Sequence, residues 1–450
     1  MFLGREKEIL LLKEKYNSGK FEFGIIHGRR RVGKTTLLKE SIKDKKAIYF
    51  LARQANRETN LEIFSKIYAE YKKIGDIRYK SFEALLEELF KEKDLIVIID
   101  EFTYLTTADP SLESLVQGLI DSKKEESNIK LIISGSEVGM FDNLFSQSKP
   151  LYGRNTFQIK VKECDYLESS LYYPNFSNID KIRTYAIFGG LPYYLSKIDD
   201  SKSLEYNISN LIIEESSPFA NEIEMILNTE LRNIGEYQSI LQAITSGSTK
   251  LSEIDSKAHI HSTDKTSKYI SKLLALEIVE KELCFKEKPI SKKHLYRIKN
   301  NFVAFYYQFI WCNLSARGFL DIKSFYDKFI SNNLDKFISL RFEHICTQYL
   351  ERRFLDRYHE IPKMVGRYWY NSKKEKKDIE IDICVETESN LHVYECKWTH
   401  GKIGKEVIID LKSKGREIDA TKYGVFSKSG YDENLTNLNC DLIRMDEFFF

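Results

Sequence analysis

The sequence predicts an α/β chain of several domains, in which a parallel-sheet core is followed by helical and mixed modules. Three observations carry this. Short apolar runs alternate with helical patterns through the N-terminal third, a glycine-rich loop joins the first run to a helix, and a second set of apolar strands bearing charged side chains occupies the last third. At 450 residues the chain exceeds what one hydrophobic core covers, so about two to four domains follow. Lys and Arg number 69 against 67 Asp and Glu, a net charge of +2, so any nucleic-acid or membrane surface must be local. Seven cysteines with no C-x-x-C spacing exclude a disulfide framework and a structural zinc site, and fit a reducing cytoplasm. No apolar run approaches the roughly 18 residues of a membrane span, residues 302–311 being the nearest, so no membrane partner is expected.

Taken in order, residues 21–27 read as a buried strand, followed by Gly28-Arg29-Arg30-Arg31-Val32-Gly33-Lys34-Thr35 and a helix over 34–42. The loop matches G-x-x-x-x-G-K-[ST], the pattern whose backbone N–H groups curl around the phosphates of a nucleoside triphosphate. Lys34 then reaches the β and γ phosphates, the Thr35 hydroxyl ligates Mg²⁺, and Thr36 continues the helix N-terminus behind them. ATP and Mg²⁺ are therefore the expected cofactors. Residues 47–51 and 95–99 read as the next strands, the latter ending in Asp100-Glu101. A carboxylate at a strand tip holds Mg²⁺ through water and a following Glu polarises the attacking water, which assigns Asp100 to the metal and Glu101 to the base. Residues 130–133 form a fourth strand, and Ser134 or Ser136 at its end places a hydroxyl beside the γ-phosphate; Ser134 is the assigned one. Strands alternating with helices require a parallel sheet with its ligand at the strand C-terminal ends.

At this point the chain resembles the AAA-type P-loop ATPases first noted in archaea. The residues that carry the resemblance are Gly4-Arg5-Glu6, Tyr152-Gly153-Arg154 and Phe188-Gly189-Gly190-Leu191-Pro192-Tyr193. The resemblance implies that the Gly-Arg-Glu box lies near the adenine and that Arg154 senses the γ-phosphate. If Arg154 comes from a neighbouring subunit, hydrolysis is tied to a homo-oligomer. The Gly-Gly-x-Pro turn reads as a helix break rather than a nucleotide contact.

The predicted domains are a P-loop ATPase core over 1–162, a helical lid over 163–234, a winged helix over 235–298 and a mixed domain over 299–450. Helices over 237–245, 251–257 and 263–276 followed by a strand over 278–285 have the winged-helix order. Lys265, Lys268 and Lys272 share one face of the third helix, where DNA phosphates would meet them.

In the last domain Asp382 lies on one apolar strand and Glu395 and Lys397 on the next, spaced Asp-x12-Glu-x-Lys. Period two puts Glu395 and Lys397 on one face, and a hairpin across 386–390 brings Asp382 beside them. Mg²⁺, with Mn²⁺ an alternative, held by Asp382, Glu395 and the Cys396 carbonyl would lower the pKa of a bound water, which Lys397 orients. This arrangement resembles the PD-(D/E)xK nuclease superfamily, and hence a restriction-endonuclease-like α/β fold. The resemblance implies a further acid, Glu343, on the helix over 334–355. The flanking stretches Gly366-Arg367-Tyr368-Trp369-Tyr370 and Val425 to Gly430 resemble a domain of unknown function often fused to these ATPases. Lys363, Arg367, Lys373, Lys374, Lys376 and Lys377 interleave with Tyr368, Trp369 and Tyr370, a composition suited to a nucleic-acid backbone and stacked bases.

The reading is a cytoplasmic Mg²⁺-dependent ATPase whose nucleotide cycle controls a DNA-directed nuclease domain. Two alternatives stay open: a nucleotide switch that binds DNA or protein through a non-catalytic nuclease-like domain, and an ATP-driven machine remodelling proteins.

Overall fold

The structure, a computed structural model, describes residues 3–450 except 76, 137–140, 142–143, 289–290, 292, 373–376, 434 and 436–437. Lys373, Lys374 and Lys376 of the basic stretch therefore lie outside the described residues, as does the side chain of Lys377. The chain divides into two units, residues 1–163 with 191–193, and residues 164–190 with 194–450.

The first unit is built on five parallel strands, β1 (Glu22–His27), β2 (Ala47–Leu51), β3 (Ile96–Asp100), β4 (Lys130–Gly135) and β5 (Phe157–Lys160), in the order β2-β3-β4-β1-β5. β1, β3 and β4 are buried at every position, as continuous apolar runs require when helices cover both faces. Alternate residues Phe23, Ile25, Ile48, Phe50, Val97, Ile99, Leu131 and Ile133 enter one core with Phe64, Leu85, Leu89 and Val116 from the covering helices. β1 to β4 lie within a residue or two of their sequence-based spans, whereas β5 has none. Because all five strands run the same way, the loop after β1 and the tips of β3 and β4 gather at one edge.

The second unit begins with helices, among them Asn178–Phe188, Ile234–Thr245, Leu251–Lys257 and Thr263–Ala275. They lead to the antiparallel hairpin β6 (Val279–Leu283) and β7 (His294–Ile298). The strand expected over 278–285 is shorter: the Cys284 amide still donates across the hairpin to the Lys293 carbonyl at 3.3 Å, but Cys284 also bridges to Arg367 of another sheet, and the Phe285 amide donates to the Arg367 carbonyl at 2.7 Å. That sheet holds β8 (Met364–Ser372), β9 (Lys377–Glu386), β10 (Leu391–Lys397), β11 (Lys422–Ser427) and β12 (Asp441–Arg444), in the order β12-β11-β10-β9-β8. β8, β9 and β10 are antiparallel to one another, and β10, β11 and β12 are parallel. Ile408 and Leu411 of helix Lys405–Arg416 pack with Ile381, Val393 and Val425 in one core. Tyr349 of the 27-residue helix Asn332–Tyr358 meets the Phe426 ring at 5.6 Å. Among the described residues no helix is long and apolar enough to cross a membrane.

Gly189 ends helix Asn178–Phe188 at φ 71°. At the next residue the chain passes so close to Cys164 that a Cβ on Gly190 would sit 1.7 Å from the Cys164 carbonyl oxygen, while the Cys164 amide donates to Gly190 at 2.9 Å. The helix break expected here is thus set by backbone against backbone, which no rotamer change relieves. Gly190→Ala should destabilise the protein by about 2 kcal/mol or more; an unchanged melting temperature in a thermal scan would contradict this account.

Candidate functional site

At the C-terminal edge of the first sheet, Gly28 has φ 156° and its α-carbon faces the Val161 carbonyl so closely that a Cβ would lie 2.3 Å from that oxygen. Arg31 (φ 69°) and Gly33 (φ 92°) complete the turn, and buried Val32 anchors it. The curl leads directly into helix Lys34–Ser41, as in loops whose successive amides surround phosphates. The Lys34 ammonium, 5% exposed, donates to the Gly28 and Arg29 carbonyls at 2.9 and 3.0 Å. Burial lowers its pKa, against the pull of Glu101 and Asp100. Arg30, Thr35 and Thr36 are exposed at the mouth, and Arg29 is ion-paired with Glu163.

Asp100 has no solvent exposure. Oδ2 accepts from the Thr35 hydroxyl at 2.8 Å and from Tyr49, and Oδ1 accepts from Ser134 and from the Glu101 amide at 3.1 Å. Burial beside that carboxylate pushes the Tyr49 phenol up, so it stays a donor. Glu101 is held at φ 56°, and its carboxylate accepts from the Ser136 amide at 3.2 Å and hydroxyl at 2.9 Å. The two serines therefore divide the work: Ser134, assigned from sequence to the γ-phosphate, fixes Asp100, and Ser136 holds Glu101. Asp100 with the Thr35 hydroxyl suits a hydrated Mg²⁺, and the loop amides with Lys34 suit the phosphates of ATP.

Arg5 of the Gly-Arg-Glu box is buried and donates to the Val32 carbonyl at 3.3 Å and to Lys162 at 2.5 Å. It braces the loop. The 191–193 segment also sits on the loop: a Cβ on Gly33 would lie 3.7 Å from the Pro192 ring, and Arg31 lies 4.4 Å from the Tyr193 ring centroid. Sequence reasoning had placed that turn away from the nucleotide.

Arg154 lies away from the phosphate loop of its own chain. It precedes β5, whose Phe157 pairs with Gly24 of β1, so it stands at the sheet edge opposite the phosphate loop. There it binds Asp121 through two nitrogens at 3.0 and 2.8 Å and the Pro150 carbonyl at 2.7 Å. It does not touch the γ-phosphate position of its own chain.

In the second unit, the β9–β10 register pairs Ile383 with Tyr394, and one step further Asp382 accepts from the Cys396 amide at 2.8 Å. The Lys397 ammonium meets Glu395 Oε1 at 2.5 Å. Burial opposes that ammonium, and the Glu395 and Asp382 carboxylates outweigh it, so its pKa is raised. Glu395 is 7% exposed, and its Oε2 is buried without a hydrogen-bond partner. An orphaned carboxylate oxygen next to Asp382 fits a divalent cation, with water and the Cys396 carbonyl completing its shell. Among the described residues no group of three or more His, Cys, Asp or Glu side chains gathers around one such point, so the protein would supply two carboxylates and backbone.

Glu343 faces the same cleft as Asp382 and is engaged there. Its carboxylate is paired with Arg367 at 2.6 Å, and Arg367 also binds Glu380. Burial, then Asp382, raises Glu343 to about 7; burial, then Glu395, raises Asp382 to about 6. Of the basic and aromatic surface, the described residues cover Lys363, Arg367, Tyr368, Trp369 and Tyr370. Besides the engaged Arg367, Lys363 faces Glu388 at 3.8 Å, and Tyr368 and Tyr370 pack on the core. On the third helix Lys265 is held by Glu236 at 2.5 Å, leaving Lys268 and Lys272 exposed.

The comparisons agree with the first site. Residues 2–198 match a family described as an ATPase domain predominantly from Archaea, and residues 306–409 match one described as archaeal and bacterial proteins of unknown function. An uncharacterized protein of Methanocaldococcus jannaschii is 30% identical over 461 aligned residues, covering 100% of both chains. An uncharacterized ATP-binding protein of the same organism is 46% identical over 46 residues, 10% of this chain and 78% of that one. The Walker-type ATPase of Pyrococcus abyssi superposes with a TM-score of 0.50 at 20% identity, covering 68% of this chain and 96% of the other, a likeness of fold.

A carboxyl raised in the folded state destabilises the fold once pH climbs through the interval between its unfolded and folded values, here from about 4 to about 6 for Asp382. Asp382→Asn keeps an acceptor for the Cys396 amide and has no such dependence. With chelator present, the variant should melt together with the wild type near pH 4 and above it from pH 6 upward, by no more than about 3 kcal/mol; a gap that stays constant with pH would refute the burial argument.

Proposed function

Because the chain belongs to the archaeal-type P-loop ATPases, and is therefore an ATP-hydrolysing enzyme, we propose that its nucleotide cycle governs a Mg²⁺-dependent nuclease acting on DNA. The observation that supports the second half most is the meeting of Asp382, Glu395 and Lys397 with one buried carboxylate oxygen unsatisfied. The domain division is proposed as read from sequence: ATPase core, helical lid, winged helix over 235–298 and nuclease-like domain over 299–450.

In the first unit Lys34 and the loop amides orient the triphosphate, Thr35 and Asp100 place the metal, and Glu101 polarises the attacking water once it leaves Ser136. Arg154, turned away from its own nucleotide, is proposed to act on that of a second copy, which ties turnover to assembly.

In the second unit Asp382 and Glu395 would hold a divalent cation, which would supply charge neutralisation and a more acidic bound water. Lys397, steered by Glu395, points a proton donor at the same place. It would orient the water whose oxygen forms the new bond to phosphorus while that water gives a proton to solvent; as the bond from phosphorus to the leaving oxygen breaks, that oxygen would take a proton from solvent water. One observation favours a second reading, a switch that binds DNA or protein without cutting it: Glu343, the extra acid of the nuclease resemblance, is occupied by Arg367.

Cleavage separates the two readings. With Mg²⁺ or Mn²⁺ the purified protein should nick or degrade plasmid DNA, and Lys397→Ala should stop this while ATP turnover continues. Equal cleavage by both proteins, or none by either, removes the nuclease assignment. For the motor, Lys34→Ala should abolish ATP binding in an equilibrium titration, and retained hydrolysis would take the phosphate loop out of the mechanism.

A further inference from the structure

We propose that Arg341 is the receptor for a phosphate of the DNA strand, held in a cleft between the β6–β7 hairpin and helix Asn332–Tyr358 so that a phosphodiester lies beside Asp382. The proposal rests on the nuclease reading for its substrate class.

The cleft, of about 610 Å³, has a mixed lining: Lys281, Arg297, Lys299, Arg341 and Arg367 stand among the carboxylates of Glu280, Glu282, Glu343, Glu351 and Asp382. That volume lies in the range of ligand-binding pockets and admits a nucleotide-sized segment. Its hairpin wall is fixed to the sheet, since Phe285 bonds the Arg367 backbone and the Cys284 thiol donates to the Trp369 carbonyl at 3.3 Å. The site therefore has a rigid frame.

Three arginines line the cleft, and they differ in what they hold. Arg297 is paired with Glu282 at 2.7 Å and Arg367 with Glu343 at 2.6 Å. Among the described residues Arg341 donates to the Ile298 carbonyl, at 2.6 Å, and lies 5.8 Å from the Phe337 ring centroid; Glu280 and Glu343 act on its charge without coming to ion-pair distance, and its Nε is buried with no hydrogen-bond partner. A guanidinium carries five N–H donors in a planar fork, and enclosing it with no carboxylate in direct contact is costly unless an anion completes it. Phosphate oxygens match that fork in two-point geometry. Position completes the case. Arg341 stands two residues before Glu343, and Asp382 opens into the same cleft, so a phosphate taken by Arg341 is delivered to the proposed cation site. Exposed Lys281 at the rim would meet the next phosphate along the strand.

Binding is read apart from cutting by using full-length protein, a fluorescently labelled DNA oligonucleotide and Ca²⁺ in place of Mg²⁺. Arg341→Met should weaken the anisotropy-measured affinity about tenfold or more and reduce the salt slope by about one phosphate. Arg341→Lys should recover part of the loss. ATP turnover without DNA should not change. Wild-type affinity in Arg341→Met would overturn the proposal, and so would a variant that loses inorganic phosphate binding while holding DNA normally. If Arg341→Met melts early, Lys281→Ala decides the matter, because that side chain is exposed: a several-fold weaker affinity supports the cleft and an unchanged one rejects it. A wild type that never cuts DNA but binds it through Arg341 would retire the nuclease reading and keep this site.

Discussion

The first unit depends on one buried carboxylate. Asp100 has no solvent exposure, and a charge so placed survives only if donors surround it. Those donors come from four segments: Thr35 from the phosphate loop's helix, Tyr49 from β2, Ser134 from β4, and the next amide of its own chain. Satisfying Asp100 thus aligns the C-terminal ends of three neighbouring strands with the phosphate loop, and the order β2-β3-β4-β1-β5 brings those ends within reach of one another. Glu101 follows on the chain in a left-handed conformation that turns its carboxylate toward Ser136. Metal placement and water activation are therefore set by one constraint.

What the sequence makes legible is what depends on near neighbours. Continuous apolar runs mark β1, β3 and β4, and the loop spacing marks the curl before Lys34. Period two with a short turn marks the β9–β10 hairpin that brings Asp382 to the Cys396 amide. What it hides depends on partners far along the chain. Arg154 answers to Asp121, 33 residues earlier, a partner that its motif neighbourhood does not reveal. Tyr49 is an ordinary strand aromatic until β3 lies beside it. Pro192 and Tyr193 look like debris of a helix break, and only in three dimensions do they pack on Gly33 and Arg31. Glu343 offers the acid that a family pattern asks for, but no pattern reveals that Arg367, 24 residues later, claims it.

The two carboxylate pairs are built on opposite principles. Around Asp100 and Glu101 nearly every oxygen is met by a hydroxyl or an amide, so the protein itself pre-forms the arrangement. In the second unit the acids repel one another: Glu343 and Asp382 are both raised, and one oxygen of Glu395 meets nothing. Such a cluster holds electrostatic energy that a divalent cation would release, and natural proteins keep that kind of cost where it serves binding or chemistry.

Arg367 is the point on which that second cluster turns. Its backbone pins the β6–β7 hairpin to the sheet, while its side chain divides itself between Glu343 and Glu380. A cation held by Asp382 and Glu395 would remove part of the repulsion that raises Glu343, and Arg367 already answers that carboxylate through its ion pair. Arg341, with no carboxylate at ion-pair distance among the described residues, is the guanidinium left for the proposed phosphate. Neither the proposed cation nor the proposed phosphate then has to break the Arg367 pair, which keeps the hairpin and the long helix in place on either side of the cleft.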